Sequence, residues 1–203
     1  DSVTSGLLQV VDELGPVEIL VNCAGWDELK PFLDTDEEFW DRIIEVNYKG
    51  ALRTVHGCLP AMIDGGWGRI VNISSISSKI GMPFEAPYMT AKAGLNALSK
   101  NMAWALAKEN ILVNTIAPGV YHTEALRHYM EATGATSRYD PENLTEIYQW
   151  MTEQQGGRCA GELGRIAKPD EIVPMILLLG SPLTSYLVGA TIAADGGTDY
   201  STP

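Results

Sequence analysis

The chain reads as an α/β fold, a mostly parallel sheet covered by helices on both faces. Three features predict this. Apolar runs rich in β-branched residues recur at 17–21, 70–73, 111–116 and 190–194. They are continuous rather than alternating, which marks strands buried on both faces. Helical spacing fills the intervals between them. Finally, three of the runs end in small or polar residues: Asn22-Cys23-Ala24-Gly25, Ser74-Ser75 and Pro118-Gly119. In a parallel sheet these ends share one side, where such folds place their ligands.

The elements follow in order. Val3, Leu7, Val10, Val11 and Leu14 have helical spacing, stopped by Gly15-Pro16. The first strand and its small-residue turn come next, then a loop over 26–34. Asp34 or Thr35 is placed to cap a helix running to about Met62, with Phe39, Ile43, Val46 and Leu52 as its apolar positions and Asn47 inside it. A turn at 64–68 leads to the second strand. Pro87 suits the first turn of the next helix, since its fixed φ is helical and its missing N–H has no partner there. That helix carries Ala91, Leu95, Leu98, Met102 and Leu106 on one side, and Ala93, Gly94 and Ala97 as a small surface fit for close helix packing. After the third strand, 121–163 is a long polar-aromatic excursion. In it Asp140 and Pro141 suit an N-cap and first position, followed by Leu144, Ile147, Tyr148 and Met151. Pro169 and Asp170 open a last helix that ends at Gly180, with Pro174 bending its first turns, before the final strand.

Composition narrows the function. A chain of 203 residues, 45% hydrophobic, is one domain by default and long enough for a full core. A net charge of −12 argues against nucleic acid and anionic membranes as partners. No apolar run approaches the roughly 20 residues of a membrane span. Cys23, Cys58 and Cys159 are few and odd in number, which fits a cytoplasmic chain with reduced thiols. Neither they nor His56, His122 and His128 have metal-ligand spacing, so no metal is expected.

The chemistry centres on 69–92. From Tyr88 the helix places Lys92 four residues on, on the same face. A phenol has a pKa of about 10, and a nearby ammonium favours its ionised form. Ser75, at the end of the preceding strand, offers a hydroxyl to a substrate oxygen, while Ser74 points the other way and reads as structural. A Tyr-Lys pair alone is usually a solvated helix face; the strand, the paired serines and the helix together favour catalysis. Trp26, Met82, Phe84, Tyr121 and Met151 fit either the lining of an apolar substrate pocket or ordinary core and cover.

These residues resemble the short-chain dehydrogenase/reductase family over essentially the whole chain. Asn22-Cys23-Ala24-Gly25 is similar to the family's Asn-Asn-Ala-Gly, with Cys23 in place of the second Asn. Asn47, Ser75, Tyr88 and Lys92 match its catalytic tetrad, and Pro118-Gly119 with Thr123 its nicotinamide-binding segment. Gly164-Arg165 to Asp170-Glu171 and Asp195-Gly196-Gly197 match its usual tail. The resemblance implies a Rossmann-like doubly wound parallel sheet and an oxidoreductase that interconverts a secondary alcohol and a ketone with NAD or NADP. It makes Tyr88 the general acid/base, Ser75 the group holding the substrate oxygen, Lys92 the ribose ligand that lowers the Tyr88 pKa, and Asn47 the holder of a water beside Lys92. Asn22, Ala24, Gly25, Tyr88, Lys92, Pro118, Gly119, Tyr121 and Thr123 would meet the cofactor. Trp26, Met82, Phe84 and Met151 would meet the substrate.

The resemblance also implies a homo-oligomer, a dimer or tetramer, built through the small helix surface. Ala24-Gly25-Trp26-Asp27 with Lys30-Pro31-Phe32 resembles dehydrogenases of alicyclic hydroxyacyl-CoA substrates, and 3-oxoacyl-carrier-protein reductases are similar. No glycine-rich phosphate loop precedes Val17, so the first strands of the fold are absent from these residues. The chain is therefore expected to be the C-terminal portion of a longer enzyme, or to have its first strand covered by another segment. The rival expectation is a cofactor-deficient binding or scaffold protein.

Overall fold

The computed structural model describes residues 2–155 and 161–199. Cys159 lies outside them. The described chain forms α1 (Ser2–Leu14), β1 (Ile19–Asn22), α2 (Glu37–Ile44), α3 (Gly50–Gly65), β2 (Gly68–Ile73), α4 (Ala86–Leu106), β3 (Ile111–Pro118), α5 (Glu124–Ala132), α6 (Leu144–Gln155), α7 (Val173–Gly180) and β4 (Thr191–Ala194). The four strands make one parallel sheet in the order β1-β2-β3-β4. Ile19 stands opposite Arg69, Ile70 opposite Val113, and Ile116 opposite Ile192.

Both central strands are buried throughout, except at Pro118. Alternate residues feed two cores. Ile70, Ile111 and Val113 pack with Val55, Cys58 and Met62 of α3 and Ala103 and Leu106 of α4. Val71, Ile73 and Ile116 pack on the other face with Leu179 of α7. At about 25 cal/mol per Å² of apolar surface removed from water, these two layers are the main stabilising contribution to the sheet. β1 bonds only to β2 among the described residues, and Ile19 and Val21 remain 49% and 38% exposed.

Several local expectations are corrected. The second helix is capped by Asp36, whose Oδ1 accepts the Phe39 N–H at 2.9 Å, rather than by Asp34 or Thr35. Thr35 is held outside the helix, donating to the Phe32 carbonyl at 2.7 Å and accepting from the Trp40 indole at 2.7 Å. That helix is not continuous α-helix: a π turn over Glu45–Lys49 joins α2 to α3 and carries Asn47. Such turns recur at functional sites because they re-aim one side chain. Asn143 caps α6, accepting from the Thr145 and Glu146 N–H groups, while Asp140 and Pro141 form the preceding turn. The excursion is more ordered than its pattern suggests. Thr123 caps α5, and Met130, Ala135, Tyr139, Ile147, Trp150 and Ile166 form a third core. Of the small residues on α4, Gly94 packs against the Tyr48 ring of the same chain, while Ala93 and Ala97 are exposed.

Candidate active site

The carboxyl ends of β1, β2 and β3 open onto one cleft of about 630 Å³, closed from above by α5 and α6. Its walls bring Ser75, Tyr88, Gly119, Tyr121, Thr123, Met82, Phe84 and Met151 together. Trp26 is not among them. Its ring lies edge-on to Phe39, and the Arg42 guanidinium sits 3.7 Å from its centre, so it braces the loop after β1 instead. Sequence reading also missed Asp27, Glu85, Tyr129, Tyr139, Trp150 and Glu153 as lining residues. Asp27 and Glu85 flank sequence already singled out, but nothing in the pattern shows their carboxyls turning inward.

Ser75 leaves β2 with extended backbone and caps the short turn Ile76–Ser78. Its Oγ lies 2.8 Å from the Ser77 Oγ and accepts the Ser77 N–H at 3.2 Å. It lines the cleft together with the Tyr88 phenol, whose pKa it acts to lower. Ser74 turns the opposite way, its hydroxyl donating to the Lys92 carbonyl at 3.1 Å, which ties β2 to α4.

Lys92 is buried, its Nζ donating to the Ile73 carbonyl at 3.0 Å and lying 5.5 Å from the centre of the Tyr88 ring. Burial lowers its pKa to about 8, opposed by Cys23 and Asp27. The expected lowering of the Tyr88 pKa is corrected for the protein alone. Burial pushes the phenol upward, and Asp27 and Glu85 add to this against the Ser75 hydroxyl. Burial also raises Asp27 to about 6 and Glu85 to about 7.

Asn47 is buried and clamps the loop after β1: its Nδ2 donates to the Trp26 carbonyl at 2.6 Å, and its Oδ1 accepts the Trp26 N–H at 3.2 Å. A Cβ added at Gly25 would stand 3.0 Å from the Asn47 Oδ1 and 3.4 Å from the Lys92 Nζ. Glycine at 25 thus lets the loop backbone lie close to two buried polar groups. At Gly119 an added Cβ would meet the Asp195 Cα at 2.8 Å, so only glycine fits between β3 and the segment after β4.

The Asn22 side chain is engaged within the protein. Its amide donates to the Asn72 Oδ1 at 2.7 Å, and its carbonyl oxygen accepts from Thr54 at 2.6 Å. The side chain therefore braces β1 against β2 and α3. Tyr121 donates to the Ala194 carbonyl at 3.0 Å, joining the ends of β3 and β4. Its ring borders both this cleft and a neighbouring one of about 380 Å³. Among the described residues no three His, Cys, Asp or Glu side chains gather to hold a metal, and no helix is long and apolar enough to cross a membrane.

This arrangement agrees with three comparisons. A family model described as enoyl-(acyl carrier protein) reductase matches residues 1–199. Nodulation protein G of Azospirillum brasilense is 32% identical over 98% of this chain and 73% of its own length. The 3-oxoacyl-(acyl-carrier-protein) reductase of Thermotoga maritima is 34% identical over 97% of this chain and 72% of its own. A gluconate 5-dehydrogenase from Burkholderia cenocepacia, solved with NADP and tartrate, superposes with a TM-score of 0.82 at 26% identity, covering 98% of this chain and 71% of that one. The chain belongs to the short-chain dehydrogenase/reductase family. It is accordingly an oxidoreductase with a Rossmann-like fold and NAD or NADP as its cofactor.

Proposed function

We propose that the enzyme interconverts a secondary alcohol and a ketone in the cleft above β1–β3, with Tyr88 as general acid/base. The observation that carries this reading is that Ser75 and Tyr88, from a strand end and a helix start, line one cleft, with Lys92 buried one helical turn on from Tyr88. A bound nicotinamide cofactor supplies the hydride acceptor or donor. The residues fit such a group. Gly25 and Gly119 leave backbone open to close approach at two strand ends, and Lys92 presents a buried cation beside Gly25.

In this reading Tyr88 takes the hydroxyl proton of an alcohol or returns it to the forming alkoxide of a ketone. Ser75 donates to the same oxygen. Positioned acid–base groups of this kind contribute about 10²–10⁴-fold in rate. Lys92 would hold the ribose and, with Asn47 fixing the loop beside it, sets the electrostatics around the phenol. Backbone at Asn22, Ala24 and Gly25 and the segment Pro118, Gly119, Tyr121 and Thr123 hold the cofactor. Met82, Phe84 and Met151 give the apolar wall against which the substrate carbon skeleton packs. The organic body of the substrate is small or a thioester arm, as suggested by the acyl-carrier-protein reductase relative. A homo-oligomer formed through the small surface of α4 is supported by the exposure of Ala93 and Ala97.

The test is a dehydrogenase screen over cyclic alcohols, their ketones and 3-hydroxyacyl thioesters with NAD and NADP. Turnover of a secondary alcohol or ketone with either cofactor supports the reading. Turnover confined to alkene reduction, with no carbonyl substrate accepted, contradicts it.

A further inference from the structure

Tyr88, Lys92 and Asn96 follow one another at intervals of four along α4, so their side chains form one stripe on the helix. Lys92 ties this stripe to the end of β2. Its Nζ donates to the Ile73 carbonyl at 3.0 Å, and its own carbonyl accepts from the Ser74 hydroxyl at 3.1 Å. Asn96, which has no part in the machinery assigned above, ties the stripe to the turn that follows Ser75. Its Nδ2 donates to the Ser78 Oγ at 2.8 Å. The Ser78 hydroxyl donates in turn to the Ser75 carbonyl at 2.5 Å, and the Ser78 N–H reaches the same carbonyl at 3.1 Å. The Ser75 Oγ is held by the middle of that turn, accepting the Ser77 N–H at 3.2 Å and lying 2.8 Å from the Ser77 Oγ.

The direction of these bonds follows from the donors available. Ser78 has one hydroxyl proton, and the Ser75 carbonyl takes it, so the Ser78 oxygen accepts from Asn96. Only the amide nitrogen of Asn96 can supply that hydrogen. The other end of the amide is left over: the Asn96 Oδ1 is buried without a hydrogen-bond partner among the described residues. An unpaired buried acceptor is costly, and an apolar residue at 96 would avoid it. The bond that the nitrogen makes to Ser78 is what sets asparagine apart from such a residue here.

We propose that Asn96 is a positioning residue which, through Ser78, holds Ser75 in register with Tyr88. The inference rests on the roles of Ser75 and Tyr88 proposed above. Those two groups come from different elements, a strand end and a helix start, and their separation must be kept through each turnover. Asn96 stands two helical turns beyond Tyr88 on the same rigid helix, so a bond from it to the Ser75 turn refers that turn to the Tyr88 backbone. Misplacing a reacting group by about 1 Å can cost about 10²-fold in rate. Removing the bond leaves the Lys92 staples and the strand ends at Gly25 and Gly119 as they are, so cofactor binding is spared.

The experiment uses Asn96→Ala, Asn96→Asp and Ser78→Ala, each also built on Ser75→Ala, with the ketone that turns over best in the screen above and NADH or NADPH. Thermal unfolding checks that each variant is folded at the assay temperature. On the wild-type background kcat should fall about ten- to a hundredfold, with KM for the ketone and cofactor affinity within about threefold. On Ser75→Ala the same substitutions should lower kcat by no more than about twofold, because the group they place is already gone. Folded Asn96→Ala and Ser78→Ala proteins with kcat within twofold of the wild type overturn the proposal. So does a fall in kcat that is repeated in full on Ser75→Ala, which would put the effect elsewhere. Failure of the underlying reading shows separately, as an unchanged rate in Ser75→Ala itself.

Discussion

Lys92 and Tyr88 stand one helical turn apart on α4, and the Lys92 ammonium lies 5.5 Å from the centre of the Tyr88 ring while donating to the Ile73 carbonyl at 3.0 Å. The helix thus carries both groups, and the end of β2 fixes one of them. Because the ammonium is held on the sheet rather than free in the cleft, its position is set before any ligand arrives.

That burial has a signature in stability. Lys92 falls to about 8 in the native protein against about 10.4 unfolded. Between these values the unfolded chain binds more protons, so stability rises with pH there and is lost as pH falls through 8. Asp27 and Glu85 act oppositely. Their native values of about 6 and 7 exceed the unfolded values of about 4, so the native state binds more protons and stability declines as pH rises through that window. Urea unfolding across pH should show a decline of several kcal/mol from pH 4 to 7 that Asp27→Asn with Glu85→Gln removes, and a rise above pH 8 that Lys92→Met removes.

The polar chain under the site should be costly to break. The Asn72 Oδ1 accepts from Asn22 at 2.7 Å, and its Nδ2 donates to Ser99 at 2.8 Å, inside the sheet. Asn72→Leu removes both bonds and leaves the half-buried Asn22 amide and the buried Ser99 oxygen without this partner. A loss of about 2–4 kcal/mol in urea unfolding is expected, and Ser99→Ala, which loses the bond from Asn72 and the one to the Leu95 carbonyl, should cost about 1–3 kcal/mol.

Gly119→Ala tests the close approach of β3 to the segment after β4. The added Cβ meets backbone at 2.8 Å, which cannot rotate away. The variant should lose about 1–3 kcal/mol of stability, read as a lower Tm, and should bind NADH or NADPH more weakly in a fluorescence titration.

Much of this was legible in the residues. Continuous β-branched runs gave the strands, and the small residues at their ends gave the side on which the cleft lies. What was hidden has physical causes. The π turn at Asn47 leaves the helical pattern nearly unchanged, because one widened turn shifts the apolar face by a single residue. Asp36 caps the helix in place of Asp34 or Thr35 because its side chain carries an equally suitable oxygen, and the Thr35 hydroxyl is taken up by the Trp40 indole. The third core, from Met130 to Ile166, draws on residues from two helices and the loops around them, which no single periodicity reveals.

Trp26 and Met151 separate bracing from substrate contact. Met151 lines the cleft, so Met151→Ala should raise KM for a bulky ketone by about tenfold with little change in kcat. Trp26→Leu loses the Arg42 guanidinium stacked at 3.7 Å and should lower stability by about 1 kcal/mol while leaving KM in place.

The most direct test is a paired measurement on Tyr88→Phe: turnover of the best alcohol or ketone, and binding of NADH or NADPH by fluorescence. A proton donor removed from the cleft wall without loss of ring volume should cut kcat by about 10²–10⁴-fold and leave cofactor affinity within about threefold. Turnover retained at the wild-type rate, in a variant that still binds cofactor, would contradict the assignment of Tyr88 as the group that moves the proton.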